Sequence, residues 1–189
     1  MKILCAEYNP AGEAVIVPLG DDALLRNNDD FYIPPFTENL SCTPQFVVRL
    51  CKLGKSVHER FATRYFEEVG VGIRFYADDY ERELAARGLP LVAASSFDGS
   101  AAISALSVPE NGGVLEYAFF VNDNEVYRQN RGQMALGIEK LIAIASDFHT
   151  LKIGDFLYCG SPFRLRGVKA GDRLRICLGD KTVMNFEIK

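Results

Sequence analysis

Histidine is scarce in this chain. Only His58 and His149 occur among 189 residues, so a reaction that needs an imidazole base has two places to draw it from. His58 opens a helical stretch beside Glu59 and Arg60, and His149 closes one; both read as element ends. Cysteine pairs are missing too. Cys5, Cys42, Cys51, Cys159 and Cys177 are odd in number, widely spaced and free of any C-x-x-C, which excludes a zinc cluster of that kind and suits a reduced, cytoplasmic chain. No run of about 18 apolar residues exists, so no membrane span is expected. Residues 1–7 reach an acid too early for a signal peptide. Positive charge is not in excess: the formal net charge is −4, which argues against nucleic acid as the partner. Repeats, linkers and low-complexity tracts are also absent, and residues 1–189 read as one domain.

Apolar residues are plentiful, 48% of the total, enough for a sizeable core. Their spacing is mostly that of strands. Residues 2–8, 15–17 and 23–25 are short extended runs, broken by Asn9-Pro10-Ala11-Gly12 and Gly20-Asp21-Asp22. Pro34 and Pro35 keep residues 31–36 extended. Residues 46–51 make the clearest early strand, with Pro44 just ahead of it, and 57–65 a short amphipathic helix. A strand over 68–76 is rich in Val, Ile, Phe and Gly. The helix after it, 80–87, is capped by Asp78 or Asp79 and stopped by Gly88 and Pro90. Residues 115–121 and 125–129 flank Asn122-Asp123-Asn124 as a hairpin. The strongest helical pattern is 133–148, with Leu136, Leu141, Ile142, Ile144, Ala145 and Phe148 on its apolar side. Strands at 156–159, 174–178 and 182–188 complete the chain, the last two joined by Gly179-Asp180. The sum is α+β, mostly β.

Residues 64–104 organise the rest and carry a resemblance. Arg74-Phe75-Tyr76-Ala77-Asp78-Asp79-Tyr80-Glu81 is similar to the Asp-Phe/Trp-Thr/Ser-Ala-Arg-Asp-x-Gln that ends a strand in the fumarylacetoacetate hydrolase family. Gly88-Leu89-Pro90-Leu91 resembles its Gly-x-Pro-Trp, and Ser95-Ser96-Phe97-Asp98 its Lys-x-Phe-Asp. Leu151-Lys152-Ile153-Gly154-Asp155 resembles Leu-x-Pro-Gly-Asp, Cys159-Gly160-Ser161-Pro162 resembles Thr-Gly-Thr-Pro, and Gly171-Asp172 a Gly-Asp before the last strands. The resemblance spans most of the chain. It implies a fumarylacetoacetate-hydrolase-like mixed β-roll or barrel with short helices.

It also implies a chemistry. In that family Glu-x-Glu on one strand and an Asp on another hold magnesium or manganese through hard oxygen ligands. The cation chelates a 2-oxo acid and stabilises an enolate; a His and a Lys assist. In this sequence the Glu-x-Glu falls on Thr43-Pro44-Gln45, the Asp on Arg74, the Lys on Ser95 and a Gln on Tyr127. The first Thr of Thr-Gly-Thr becomes Cys159, and Ser161 keeps a hydroxyl. The segment around residues 9–13 is short and holds no His. No metal and no other cofactor is therefore expected, since Thr, Gln and Arg cannot replace three carboxylates.

Each residue has a plainer reading too. Arg74 is either an anion anchor or a structural ion pair with Asp78 or Asp79. Asp98-Gly99-Ser100 reads first as an Asx-turn, Cys159 as an inert buried thiol, and Arg164, Arg166, Lys169, Arg173 and Arg175 as a solvated face. The expectation is a catalytically degenerate binding or structural paralogue, a homodimer with room for a small anionic ligand. Its relict pocket would comprise Thr43, Gln45, Arg74, Ser95, Tyr127, Cys159 and Ser161. The alternative is an enzyme of the family type, a hydrolase, isomerase or decarboxylase on a small 2-oxo acid, with Glu38, Asp78, Asp79 and Glu81 as its acids.

Overall fold

The computed structural model describes residues 1–8, 12–26, 28–109 and 115–189; the expected turn at Asn9-Pro10-Ala11 lies outside them. Among the described residues, alternating and continuous apolar runs fold into twelve strands. They are β1 (Ile3–Tyr8), β2 (Ala14–Leu19), β3 (Leu24–Leu25), β4 (Leu40–Leu50), β5 (Phe66–Ala77) and β6 (Ala101–Ile103), then β7 (Glu116–Val121), β8 (Asn124–Asn130), β9 (Phe156–Tyr158), β10 (Leu165–Val168), β11 (Arg173–Leu178) and β12 (Lys181–Glu187). Two α-helices, α1 (Asp78–Ala86) and α2 (Ile138–Phe148), join them. A large sheet runs β2-β1-β9-β4-β5-β6-β3, with β10 also on β4, and a smaller one runs β12-β11-β7-β8. The architecture is α+β and mostly β, as expected, but the sheets stay open and do not close into a barrel.

The long antiparallel pair β4–β5 forms the spine of the large sheet. Thr43 faces Arg74 across it, and Gln45 faces Gly72. Because side chains alternate, Ile73 and Phe75 turn to the opposite face from Arg74. There they join a core that also takes Leu141 and Ile142 from α2 and Tyr117, Phe119, Ile176 and Phe186 from the smaller sheet. The Arg74 face carries a second cluster of Cys5, Val47, Ala101, Ile103 and Tyr158.

Some element bounds differ from those expected, each for a local reason. β4 begins at Leu40, so Pro44 lies inside it. On the side away from β5, β4 is paired by β10 over residues 40–42 and by β9 over 47–49. Pro44 falls in the gap between them, where its missing N–H leaves no ladder bond unmade. The pattern at 133–148 becomes a helix only from Ile138, because Gly137 is extended at φ −64°, ψ 156° and an isolated turn occupies Arg131–Gln133. Residues Glu59–Tyr65 form a 3₁₀ helix, capped by His58 Nδ1, which accepts from the Arg60 amide at 3.3 Å. Asn122 and Asp123 both have positive φ, 49° and 66°, the twist that a tight hairpin demands. The acids of the two Gly-Asp pairs close turns: Asp155 accepts from the Lys152 amide at 2.9 Å and Asp172 from the Lys169 amide at 3.0 Å.

Gly72 is where the spine is tightest. A Cβ there would lie 2.6 Å from both the Ala102 carbonyl oxygen and the Tyr158 ring, and 2.9 Å from Val47. Gly72→Ala should therefore destabilise the fold by about 1–3 kcal/mol through overpacking, read as a lower urea midpoint at unchanged slope.

Candidate functional site

The gap beside Pro44 opens into a cavity of about 510 Å³. Its walls come from the end of β1 (Ala6, Glu7, Tyr8), Thr43 on β4, Tyr76 on β5, Gln129 on β8, and Gly160, Ser161 and Arg164 in the segment after β9. Gly160 cannot be replaced cheaply. Its φ is +72°, and a Cβ would stand 2.2 Å from the Tyr8 ring. Gln45 holds this glycine in place, its Oε1 accepting from the Gly160 amide at 2.5 Å. Tyr117 ties the sheets together behind the cavity, its hydroxyl 2.8 Å from both the Pro44 carbonyl and Gln129 Oε1.

Arg74 lies beneath the wall and is 0% exposed. Its Nη2 donates to the Ser95 carbonyl at 2.8 Å, and its Nη1 lies 3.6 Å from Glu7 Oε1. The Tyr76 hydroxyl stands 3.1 and 3.2 Å from the two Glu7 carboxylate oxygens, and the Tyr76 ring centroid is 5.4 Å from the Arg74 guanidinium. Cys5 sits against the same cation, yet burial pushes its thiol up to about 11. It stays protonated at neutral pH and is a weak acceptor.

The expected partners of Arg74, Asp78 and Asp79, are engaged elsewhere. Asp78 is held by Ser41 at 2.8 Å, Arg166 at 3.1 Å and Arg164 at 2.5 Å, and Glu81 takes the same Arg164 Nη2 at 2.7 Å. Arg164 Nε donates to Ser41 Oγ at 2.7 Å, and its guanidinium lies 4.2 Å from the Tyr76 ring centroid. Asp79 accepts from the Thr37 hydroxyl and from the amides of Glu38 at 2.8 Å and Tyr80 at 3.0 Å. These acids hold α1 and the cavity rim; none of them lines the cavity. The basic run is partly consumed in this way, and Arg175 stacks on Phe120 at 4.0 Å.

Of the pocket residues expected from sequence, Thr43 and Ser161 line the cavity and Gln45 supports its floor. Ser95 contributes its carbonyl, while its hydroxyl turns to Val92. Tyr127 stacks on Phe163 at 4.4 Å beside the cavity, and Gln129, two residues along the same strand face, lines it. Cys159 is buried, its thiol pushed up to about 12 by that burial, and its carbonyl accepts from the Tyr8 hydroxyl at 2.9 Å. Sequence reasoning missed Glu7, Tyr8, Tyr76 and Arg164. The strict alternation of β5 placed Tyr76 on the Arg74 face and could have found it.

This donor set does not fit a divalent cation. Glu7 is the one carboxylate among the described residues that line the cavity, and it already faces a guanidinium. No group of three His, Cys, Asp or Glu among the described residues could hold a metal ion.

Two outcomes follow from these contacts. The Glu7 side chain is 34% exposed and can hydrate, whereas Arg74 cannot shed its charge. Glu7→Leu strands the cation and should cost roughly 3 kcal/mol, but Arg74→Met should cost less than about 1 kcal/mol, because a buried ion replaced by an apolar side chain is often neutral; paired urea melts check the asymmetry. For Asp79, burial raises the carboxyl but the bonds from Thr37, Glu38 and Tyr80 overcome it and hold it down at about 2, below its ordinary 3.8. A depressed carboxylate stabilises the fold above its unfolded value and loses that contribution as pH falls towards 2. Asp79→Asn should lower stability at neutral pH and flatten this acid limb of the stability–pH curve.

The comparisons with known proteins agree with this architecture. The sequence model for fumarylacetoacetate (FAA) hydrolase C-terminal matches residues 6–189. The chain is 26% identical to oxaloacetate tautomerase fahd-1 of Caenorhabditis elegans over 171 residues, 89% of this chain and 80% of that one. It is also 26% identical to a fumarylpyruvate hydrolase of Ralstonia over 144 residues, 75% of this chain and 74% of that one. Among solved structures, fumarylpyruvate hydrolase from Pseudomonas aeruginosa, in complex with Mn2+ and pyruvate, superposes with a TM-score of 0.88 at 17% identity, covering 100% of this chain and 89% of the other. The chain belongs to the fumarylacetoacetate hydrolase family.

Proposed function

We propose that this protein is a paralogue that has lost the family's metal-dependent catalysis and binds a small molecule in the retained cavity. One observation carries the reading. Arg74, fully buried, stands directly opposite Thr43 on the spine pair, at positions where the resemblance puts carboxylate ligands. A guanidinium there repels a divalent cation. The cavity itself persists, lined by the hydroxyl-bearing residues Tyr8, Thr43, Tyr76 and Ser161, a lining suited to a small anion. The reading includes a homodimer. It also includes a reducing compartment such as the cytoplasm, since all five cysteines are free.

The names of the relatives favour a second reading, a hydrolase or isomerase acting on a small 2-oxo acid such as oxaloacetate. It would need an acid–base pair in the cavity, and Glu7 with the Tyr76 hydroxyl is the pair at hand.

Calorimetric titration with manganese, alone and with oxalate or pyruvate, separates the two. The expected result is no saturable heat from manganese. Stoichiometric manganese binding, or metal-dependent tautomerisation of oxaloacetate, would overturn the first reading. The triple variant Arg74→Asp, Thr43→Glu, Gln45→Glu restores three carboxylates at those positions and should gain manganese binding.

A further inference from the structure

Resting on that reading, we infer that an anion site built on Arg74 and Tyr76 lies under the cavity wall, and that the protein's own Glu7 carboxylate is its displaceable occupant. The ligand class that fits is a small carboxylate, taking the place of Glu7.

Arg74 has unmet donors. A guanidinium carries five N–H donors in a fixed plane and stays charged. Among the described residues Arg74 makes one hydrogen bond, from Nη2 to the Ser95 carbonyl, and its buried Nε and Nη1 have no hydrogen-bond partner. Buried cations are normally paired and bonded. Glu7 supplies the opposite charge, but at 3.6 Å from Nη1 it is beyond hydrogen-bond distance. The Cys5 thiol, kept protonated by burial, offers the guanidinium only a weak sulfur acceptor.

Glu7 has the freedom to leave. It is the penultimate residue of β1, it lines the cavity, and its side chain is 34% exposed. Rotation about its side-chain bonds would bring the carboxylate into the solvent of the cavity without moving the strand. Left behind would be two donors that already converge on a carboxylate: Arg74 Nη1 and the Tyr76 hydroxyl, 3.1 Å from Glu7 Oε1. Arg164 lies over the Tyr76 ring in the cavity wall, but its charge is already paired with Asp78 and Glu81, so the unmet positive charge is that of Arg74. A free carboxylate is not tethered to β1, so it can close the gap to Nη1 that Glu7 leaves. A tethered competitor has a high effective concentration, so the wild-type chain should bind weak carboxylates poorly and a chain without Glu7 should bind them well.

The test uses the intact protein with chelator present. Glu7→Ala should melt below the wild type, and sodium formate should raise its melting temperature saturably, well beyond sodium chloride at equal ionic strength. Wild type should respond to formate far less. Glu7→Gln keeps the side chain's shape and covers the case in which Glu7→Ala does not fold. In calorimetry it should bind oxalate about tenfold more tightly than wild type, because a competing like charge is gone. Formate acting no better than chloride on Glu7→Ala, or oxalate binding Glu7→Gln no more tightly than wild type, overturns the inference. Manganese titration of wild type freed of chelator reports separately on the metal-free reading, so failure of one is not mistaken for failure of the other.

Discussion

A single permanent charge inside the protein sets the terms for everything near it. Arg74 has no exposure to solvent, and an isolated buried cation would cost far more than a domain's whole stability. The surroundings answer that cost from several directions at once. β1 ends with Glu7 beside it, the short 3₁₀ turn Leu91–Ala94 delivers the Ser95 carbonyl, and Tyr76 offers its ring to the cation and its hydroxyl to the anion. On the same strand, Ile73 and Phe75 anchor the opposite face in the core. The strand that positions the charge is thus held by apolar packing that owes nothing to the charge.

The second charged cluster does different work. Arg164 spans from the segment after β9 to Ser41 on β4 and to Asp78 and Glu81 on α1. It fastens three elements that are distant in sequence and presents its face to the cavity. The two arginines differ accordingly: Arg164 is saturated with carboxylate and hydroxyl partners, while Arg74 is short of them. Only an under-bonded donor has anything left to offer a ligand.

Much of this fold was legible in the sequence because it rests on local signals. The Asn122-Asp123 hairpin, the stop at Gly88 with φ +65° and the final hairpin at Gly179-Asp180 are each written in adjacent residues. Alternation puts Thr43 and Gln45 on one face of their strand, but that Arg74 and Gly72 stand opposite them is set by the register of β4 on β5. What failed depends on which strands become neighbours. Glu7 lies 69 residues from Tyr76 in the chain, and nothing local in either segment announces the pairing. Nearness in sequence points to Asp78 and Asp79 as partners for Arg74, but the strand turns into α1 there and carries them to the rim. Pro44 looked like a strand boundary because the gap in pairing that admits it is made by β9 and β10, far downstream. Tyr127 and Gln129 share one strand face, so counting from the hairpin could find the face but not which of the two reaches the cavity.

Pro44 bears on more than the shape of the cavity. Where β9 and β10 part, β4 has a short free edge in the interior of its own sheet, and such edges are templates on which extended segments, including those of other chains, can add. A proline there has no N–H to offer an incoming strand, and its carbonyl is already taken by the Tyr117 hydroxyl. The opening is therefore closed to β-augmentation while it stays open to small molecules. One residue thus guards this gap against strand invasion.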